Sequence, residues 1–223
     1  MDFKPVIVTG AYGCGKTEFC VNYALEMRRR FPRSPVFLAD MDVLNPYFRS
    51  REKADFLAGH GVTVIGNNIN NAANQDLPAI SGQVQRAVIA GHNLIVDLAG
   101  SVHGLKTLTF FKDNLSDYEM WVTVNAFREE SGEAEKVLAF IREAQAMSGL
   151  RVTGLVNTSH MLRQTKGWHV LKGQELAREV SEKSGIPLVM TFVIRNVYEE
   201  IKDKLKSHIV VFDKLIMREE WQS

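Results

Sequence analysis

The chain is short of most features that mark a secreted, fibrous or membrane-spanning protein. It has only two cysteines, Cys14 and Cys20, in no repeating spacing, which excludes a disulfide framework and a zinc site built on paired cysteines. No apolar run approaches the ~20 residues needed to cross a bilayer. The first strand-like stretch starts at Pro5 and leaves no room for a signal peptide, so a cytoplasmic location is expected. An excess of one charge is also lacking. Against 27 Lys and Arg stand 26 Asp and Glu, a formal net charge of +1, so no nucleic-acid partner is expected. Repeats, low-complexity tracts and Pro- or Gly-rich linkers are missing as well, and nothing divides the 223 residues. At 45% hydrophobic and 24% charged, the chain can bury a core.

What is present is alternation. Short apolar runs at 5–9, 36–39, 62–65, 94–96, 119–124, 152–156 and 188–192 read as strands. Helical patterns lie between them at 16–30, 77–90, 106–115, 132–147 and 173–184. Runs such as "NLIVDLAG" have no polar alternation, which fits strands buried on both faces of a parallel sheet. The expected fold is therefore α/β: a doubly wound, mostly parallel sheet of about seven strands flanked by helices. It would form one domain over 1–223, with 196–223 a helical extension. The asparagine-rich stretch 66–78 reads as a loop.

The first strand runs into Gly10-Ala11-Tyr12-Gly13-Cys14-Gly15-Lys16-Thr17, followed by Glu18, and a helix begins there. This is G-x-x-x-x-G-K-[ST] between a strand and a helix, the arrangement of a phosphate-cradling P-loop. Glycines let successive N–H groups face phosphate oxygens, and the helix adds its positive end. Lys16 would neutralise the β- and γ-phosphates, and the Thr17 hydroxyl would ligate Mg²⁺. A thiol at a helix start, such as Cys14, can be acidified and redox-sensitive. A small residue that fits the loop is the preferred account of it, and Cys20 carries no assigned chemistry.

Acids follow at the right places. Asp40 and Asp42 flank Met41 where the second strand ends, at the edge where α/β sheets bind ligands. Asp97 closes the apolar run of the fourth strand, and Gly100 stands where a D-x-x-G switch needs it. A carboxylate here can hold Mg²⁺ directly or through water. Position 98 is Leu rather than Glu, which argues against motor-type ATPases.

This order of P-loop, D-x-D and D-x-x-G resembles the MinD/ParA/CobQ group of P-loop proteins (the SIMIBI class) over about residues 5–195. "NPYFRSRE" and "GLVNTSH" resemble uncharacterised members of that group. The resemblance implies that Asp40 and Asp42 bind Mg²⁺ or position the attacking water, and that Asn157 contacts adenine. An N-K-x-D guanine motif is absent, since Thr158 follows Asn157, so ATP is preferred over GTP. MinD- and ParA-type loops carry a lysine where this chain has Ala11, and a homodimer is left open. The leading expectation is an ATPase that switches its affinity for a partner protein. The alternatives are a small-molecule kinase or ligase of the dethiobiotin synthetase type, with its own acceptor, and a non-hydrolysing nucleotide-binding adaptor. His103, Arg49 and Arg51 are secondary candidates near the site, whereas His160 reads as a loop residue.

Overall fold

The computed structural model describes residues 4–41, 49–66 and 77–217, and of 77–81 the backbone alone. In chain order the elements are β1 (Val6–Thr9), α1 (Lys16–Arg30), β2 (Val36–Asp40), α2 (Ala54–Gly59), β3 (Val62–Ile65), α3 (Leu77–Ile89), β4 (Asn93–Asp97), α4 (Val102–Lys106), β5 (Glu119–Val124), α5 (Ala134–Ser148), β6 (Gly154–Asn157), α6 (Gly167–Ser184), β7 (Leu188–Ile194), α7 (Arg195–Ile201) and β8 (His208–Phe212). The strands form one parallel sheet in the order β3-β2-β4-β1-β5-β6-β7-β8.

Side-chain alternation along the strands divides the core. Val6 and Val8 of β1 join Phe19, Ala24 and Met27 of α1 and Leu57 of α2 on one face. Ile7 joins Val84 and Ala87 of α3 and Val137 and Ile141 of α5 on the other. Right-handed crossovers require this split: the path β1 to β2 to β3 runs one way across the sheet, and β3 to β8 runs back. β1 sits between β4 and β5, and the connection that leaves it covers one face of the sheet while those that leave β4 and β5 cover the other, so the crevice beyond its carboxyl end is the natural ligand position.

Expected strands and observed strands agree closely, and the doubly wound parallel architecture holds. The region from 196 onward differs from expectation. It was expected to be helical, but after α7 it forms β8, which pairs in parallel with β7 from Met190↔His208 to Ile194↔Phe212. The physical reason is the period-two pattern of "HIVVF": Val210 and Phe212 face the α1 side, while Ile209 and Val211 pack beside α7. Leu215, Ile216 and Met217 then fold against α1 as part of the same core. In place of a helix over 106–115 there are α4 and short 3₁₀ turns. The asparagine-rich residues 67–76 and the last residues 218–223 lie outside the described residues. No helix among the described residues is long and apolar enough to cross a membrane.

Candidate functional site

The glycine-rich loop crosses the carboxyl end of β1 and enters α1 at Gly15, which adopts a left-handed conformation at φ 82°. Its two flanks are pressed close. A Cβ on Gly10 would lie 2.2 Å from Thr123 Oγ1, and one on Gly100 would lie 1.9 Å from the Gly10 carbonyl oxygen. Only glycine fits either place, so the expected switch residue Gly100 does touch the loop. Lys16 folds back over the loop, with Nζ donating to the Ala11 carbonyl at 3.0 Å.

Three long-range contacts hold the loop from outside. Thr158 Oγ1 donates to the Cys14 carbonyl at 2.6 Å, and Arg128 Nε donates to the Gly13 carbonyl at 3.0 Å. The Cys14 thiol lies 3.0 Å from Ser131 Oγ. Burial pushes that thiol above its ordinary pKa, against the smaller opposing pull of Ser131, Lys16 and Arg128, which keeps it protonated and unreactive. Cys14 is thus a small packed residue, whereas Tyr12 and Gly13 of the loop are exposed.

The acids divide. Asp97 ends β4 beside Asp40 of β2 in the sheet register. Burial first, and the nearby Asp97 carboxylate second, push the Cys20 thiol well up. Asp40 is fully buried and held by Arg51: Nε lies at 2.8 Å and Nη2 at 3.1 Å from its oxygens, and the Arg51 backbone N–H donates at 3.1 Å. Asp42 lies outside the described residues. Among the described residues no cluster of three or more His, Cys, Asp or Glu forms a metal cage. A hydroxyl at Thr17 with one or two carboxylates is nonetheless the sparse donor set that Mg²⁺ takes when phosphates and water supply its other ligands.

Two expected nucleotide-contact residues face elsewhere. The Asn157 side chain is fully buried: Nδ2 donates to the Val170 carbonyl at 2.9 Å and Oδ1 accepts from the Ser159 N–H at 3.1 Å. It braces the turn after β6 against α6. The Glu18 carboxylate accepts from Asn22 Nδ2 at 2.7 Å, from the Ile216 N–H at 2.7 Å and from the Met217 N–H at 2.9 Å. Beside it, an apolar cleft runs from Gly15 past His160 and Val170 to Phe192, Phe212 and Leu215. Arg128, Ser131 and Thr158 were not anticipated from the sequence. The signal for them was the demand that loop carbonyls find donors, which had to come from the turns after β5 and β6.

No family model matches the sequence. No curated protein matches it either. Solved structures do. The cell division protein FtsY of Thermotoga maritima superposes with a TM-score of 0.58 at 17% identity, over 85% of this chain and 61% of that one. The signal recognition particle receptor FtsY of Elizabethkingia anophelis, in complex with GDP, gives 0.58 at 17% identity, over 86% and 57%. The signal recognition particle 54 kDa protein of Aeropyrum pernix, also in complex with GDP, gives 0.57 at 18% identity, over 84% and 41%. The fold is that of the P-loop nucleotide-binding proteins. The likeness does not single out the MinD/ParA/CobQ group. This P-loop chain spans 41–61% of the length of these neighbours, and at such identities the likeness is one of fold.

Proposed function

We propose that this chain binds a nucleoside triphosphate with Mg²⁺ at its P-loop, prefers ATP, and hydrolyses it slowly to change its affinity for a partner protein, in the manner of the MinD/ParA/CobQ group. The observation that carries the reading is the pinned loop. With the Gly13 and Cys14 carbonyls engaged from outside by Arg128 and Thr158, the opposite side of the loop and the start of α1 are left to an anion. Lys16 would leave the Ala11 carbonyl for the β- and γ-phosphates, and the Gly100 N–H would report whether the γ-phosphate is there. Thr17 and Asp97, with Asp40 if Arg51 yields it, would hold Mg²⁺, which neutralises charge between the phosphates when bound. The grip of Arg51 on Asp40 favours slow turnover by the protein alone.

The preference for adenine rests on the cleft beside Gly15. Its walls are mostly apolar, and Glu18, the acid among its described lining residues, is occupied by two backbone N–H groups. Guanine recognition calls for a carboxylate facing the base. Asn157 would shape this cleft through the turn after β6. Ala11 removes the lysine that MinD- and ParA-type pairs send across a dimer, so the switch is proposed to act on a different protein.

The test is displacement of a fluorescent nucleotide by ATP and GTP, alongside phosphate release with and without cell extract and candidate metabolites. ATP winning over GTP, with slow release that extract accelerates, is expected. Equal binding by Lys16→Ala would sink the site, and turnover seen only with a metabolite would move the function to small-molecule phosphoryl transfer.

A further inference from the structure

Glu18 follows the Lys16-Thr17 pair directly, yet its carboxylate points away from the loop and is saturated by other partners. Two of these are the backbone N–H groups of Ile216 and Met217, about two hundred positions away in the chain. Glu18 is itself only 8% exposed, so these charge-assisted bonds are shielded from water. They hold the segment after β8 across the side of the sheet that faces α1. Leu215, one residue before the bonded pair, is 6% exposed and forms a wall of the apolar cleft together with Phe192 and Phe212. With Leu215 in place the cleft encloses about 30 Å³. That is room for a water or two, against the ~300 Å³ or more of a typical small-ligand pocket.

We infer that Glu18 is a positioning residue which latches the segment Leu215–Met217 over the cleft, and that Leu215 thereby governs entry of the nucleobase. This rests on the nucleotide reading above. Phosphates meet the P-loop without disturbing the latch. The base enters only when Leu215 moves aside, which draws Ile216 and Met217 off the Glu18 carboxylate. Occupancy next to the P-loop is so transmitted to the end of β8, far from the acids after β2 and β4. A closed latch taxes nucleotide affinity by the fraction of molecules in which it is open.

The experiment compares two ligands on the full chain: a nucleoside triphosphate, which carries a base, and inorganic tripolyphosphate, which does not. Glu18→Ala, Glu18→Gln and Leu215→Ala are measured by calorimetry beside the parent. Hydrogen exchange at the Ile216 and Met217 amides is followed in the unmodified protein, so the outcome does not depend on any variant folding. Glu18→Ala and Leu215→Ala are expected to bind the nucleoside triphosphate roughly threefold tighter or better relative to tripolyphosphate, with Glu18→Gln between them and the parent. The two amides should exchange faster with nucleotide than with tripolyphosphate. Unchanged affinity ratios, or amide protection that stays the same or rises with nucleotide, would overturn the latch. If Lys16→Ala binds both ligands as the parent does, it is the nucleotide reading that has failed instead.

Discussion

Replacing Asp40 by Asn separates two roles that the same carboxylate was open to from the sequence. In the structure it accepts Arg51 Nε at 2.8 Å, Nη2 at 3.1 Å and the Arg51 N–H at 3.1 Å, with the pair 0% and 9% exposed. Asn keeps the shape, removes the negative charge and turns an NH₂ donor toward a cation that has none to accept it. Removing one partner of a buried pair costs about 3 kcal/mol at the low end of what such pairs show. For a chain of this length each kcal/mol moves Tm by ~2–4 °C, so Asp40→Asn should melt ~6–12 °C below the parent. An exposed pair serves as the control: Glu135 and Lys183 are 72% and 43% exposed, and Glu135→Gln should shift Tm by no more than ~2 °C. Adding Arg51→Met to Asp40→Asn should recover part of the loss, because the buried cation goes too. Scanning fluorimetry and urea denaturation read all four proteins. If Asp40→Asn melts within the range of the Glu135→Gln control, the ion pair does not anchor this end of β2. Loss of turnover with an unaltered melt would then assign Asp40 to chemistry alone.

Other consequences are as specific. Burial pushes the Tyr23 phenol up to about 12. The folded state therefore holds this proton more tightly than the unfolded chain, and the associated stability is complete below pH ~10 and is lost, up to about 3 kcal/mol, as pH rises through ~12. Urea denaturation from pH 8 upward should show that loss in the parent and much less of it in Tyr23→Phe; parallel curves would refute it. Thr158→Val keeps the volume and removes the bond to the Cys14 carbonyl, costing about 1 kcal/mol and weakening triphosphate binding ~5-fold in calorimetry. Gly100→Ala forces a methyl onto the Gly10 carbonyl, so both Tm and nucleotide affinity should fall, and an unchanged melt would show that the two segments do not touch.

The sheet was legible because parallel strands buried on both faces cannot hide. Each of β1, β4 and β5 is a continuous apolar run with almost no exposed position, and a glycine-rich turn or polar stretch punctuates most of them. Helix α1 was legible to its ends for the same kind of reason: a motif starts it, and three arginines close it against the helix dipole. Edge strand β8 escaped because it is half exposed and only five residues long, and its neighbours Leu215–Met217 blurred period two into something closer to a helical spacing. What decided between the two was the open flank of β7, a tertiary fact that no local window contains.

The site was legible in its backbone and opaque in its side chains, for a physical reason. A P-loop is written in local geometry, since glycines at fixed spacing between a strand and a helix leave the chain few other conformations. The direction of a carboxylate is set by whichever distant donors reach it first. Asp40 found Arg51 in the turn before α2, and Glu18 found amides at the far end of the chain. Asn157 illustrates the same point from the other side. At a strand end, its amide could serve a base or a backbone, and the arrival of α6, with Gly173 allowing Ser159 and Asn157 to approach its axis, gave it to the Val170 carbonyl. Each of these groups carries strong hydrogen-bonding capacity that must be met once buried. The partner that meets it therefore reveals whether the residue acts on a ligand or on the fold, and for Glu18 that partner is the segment whose movement the nucleobase would require.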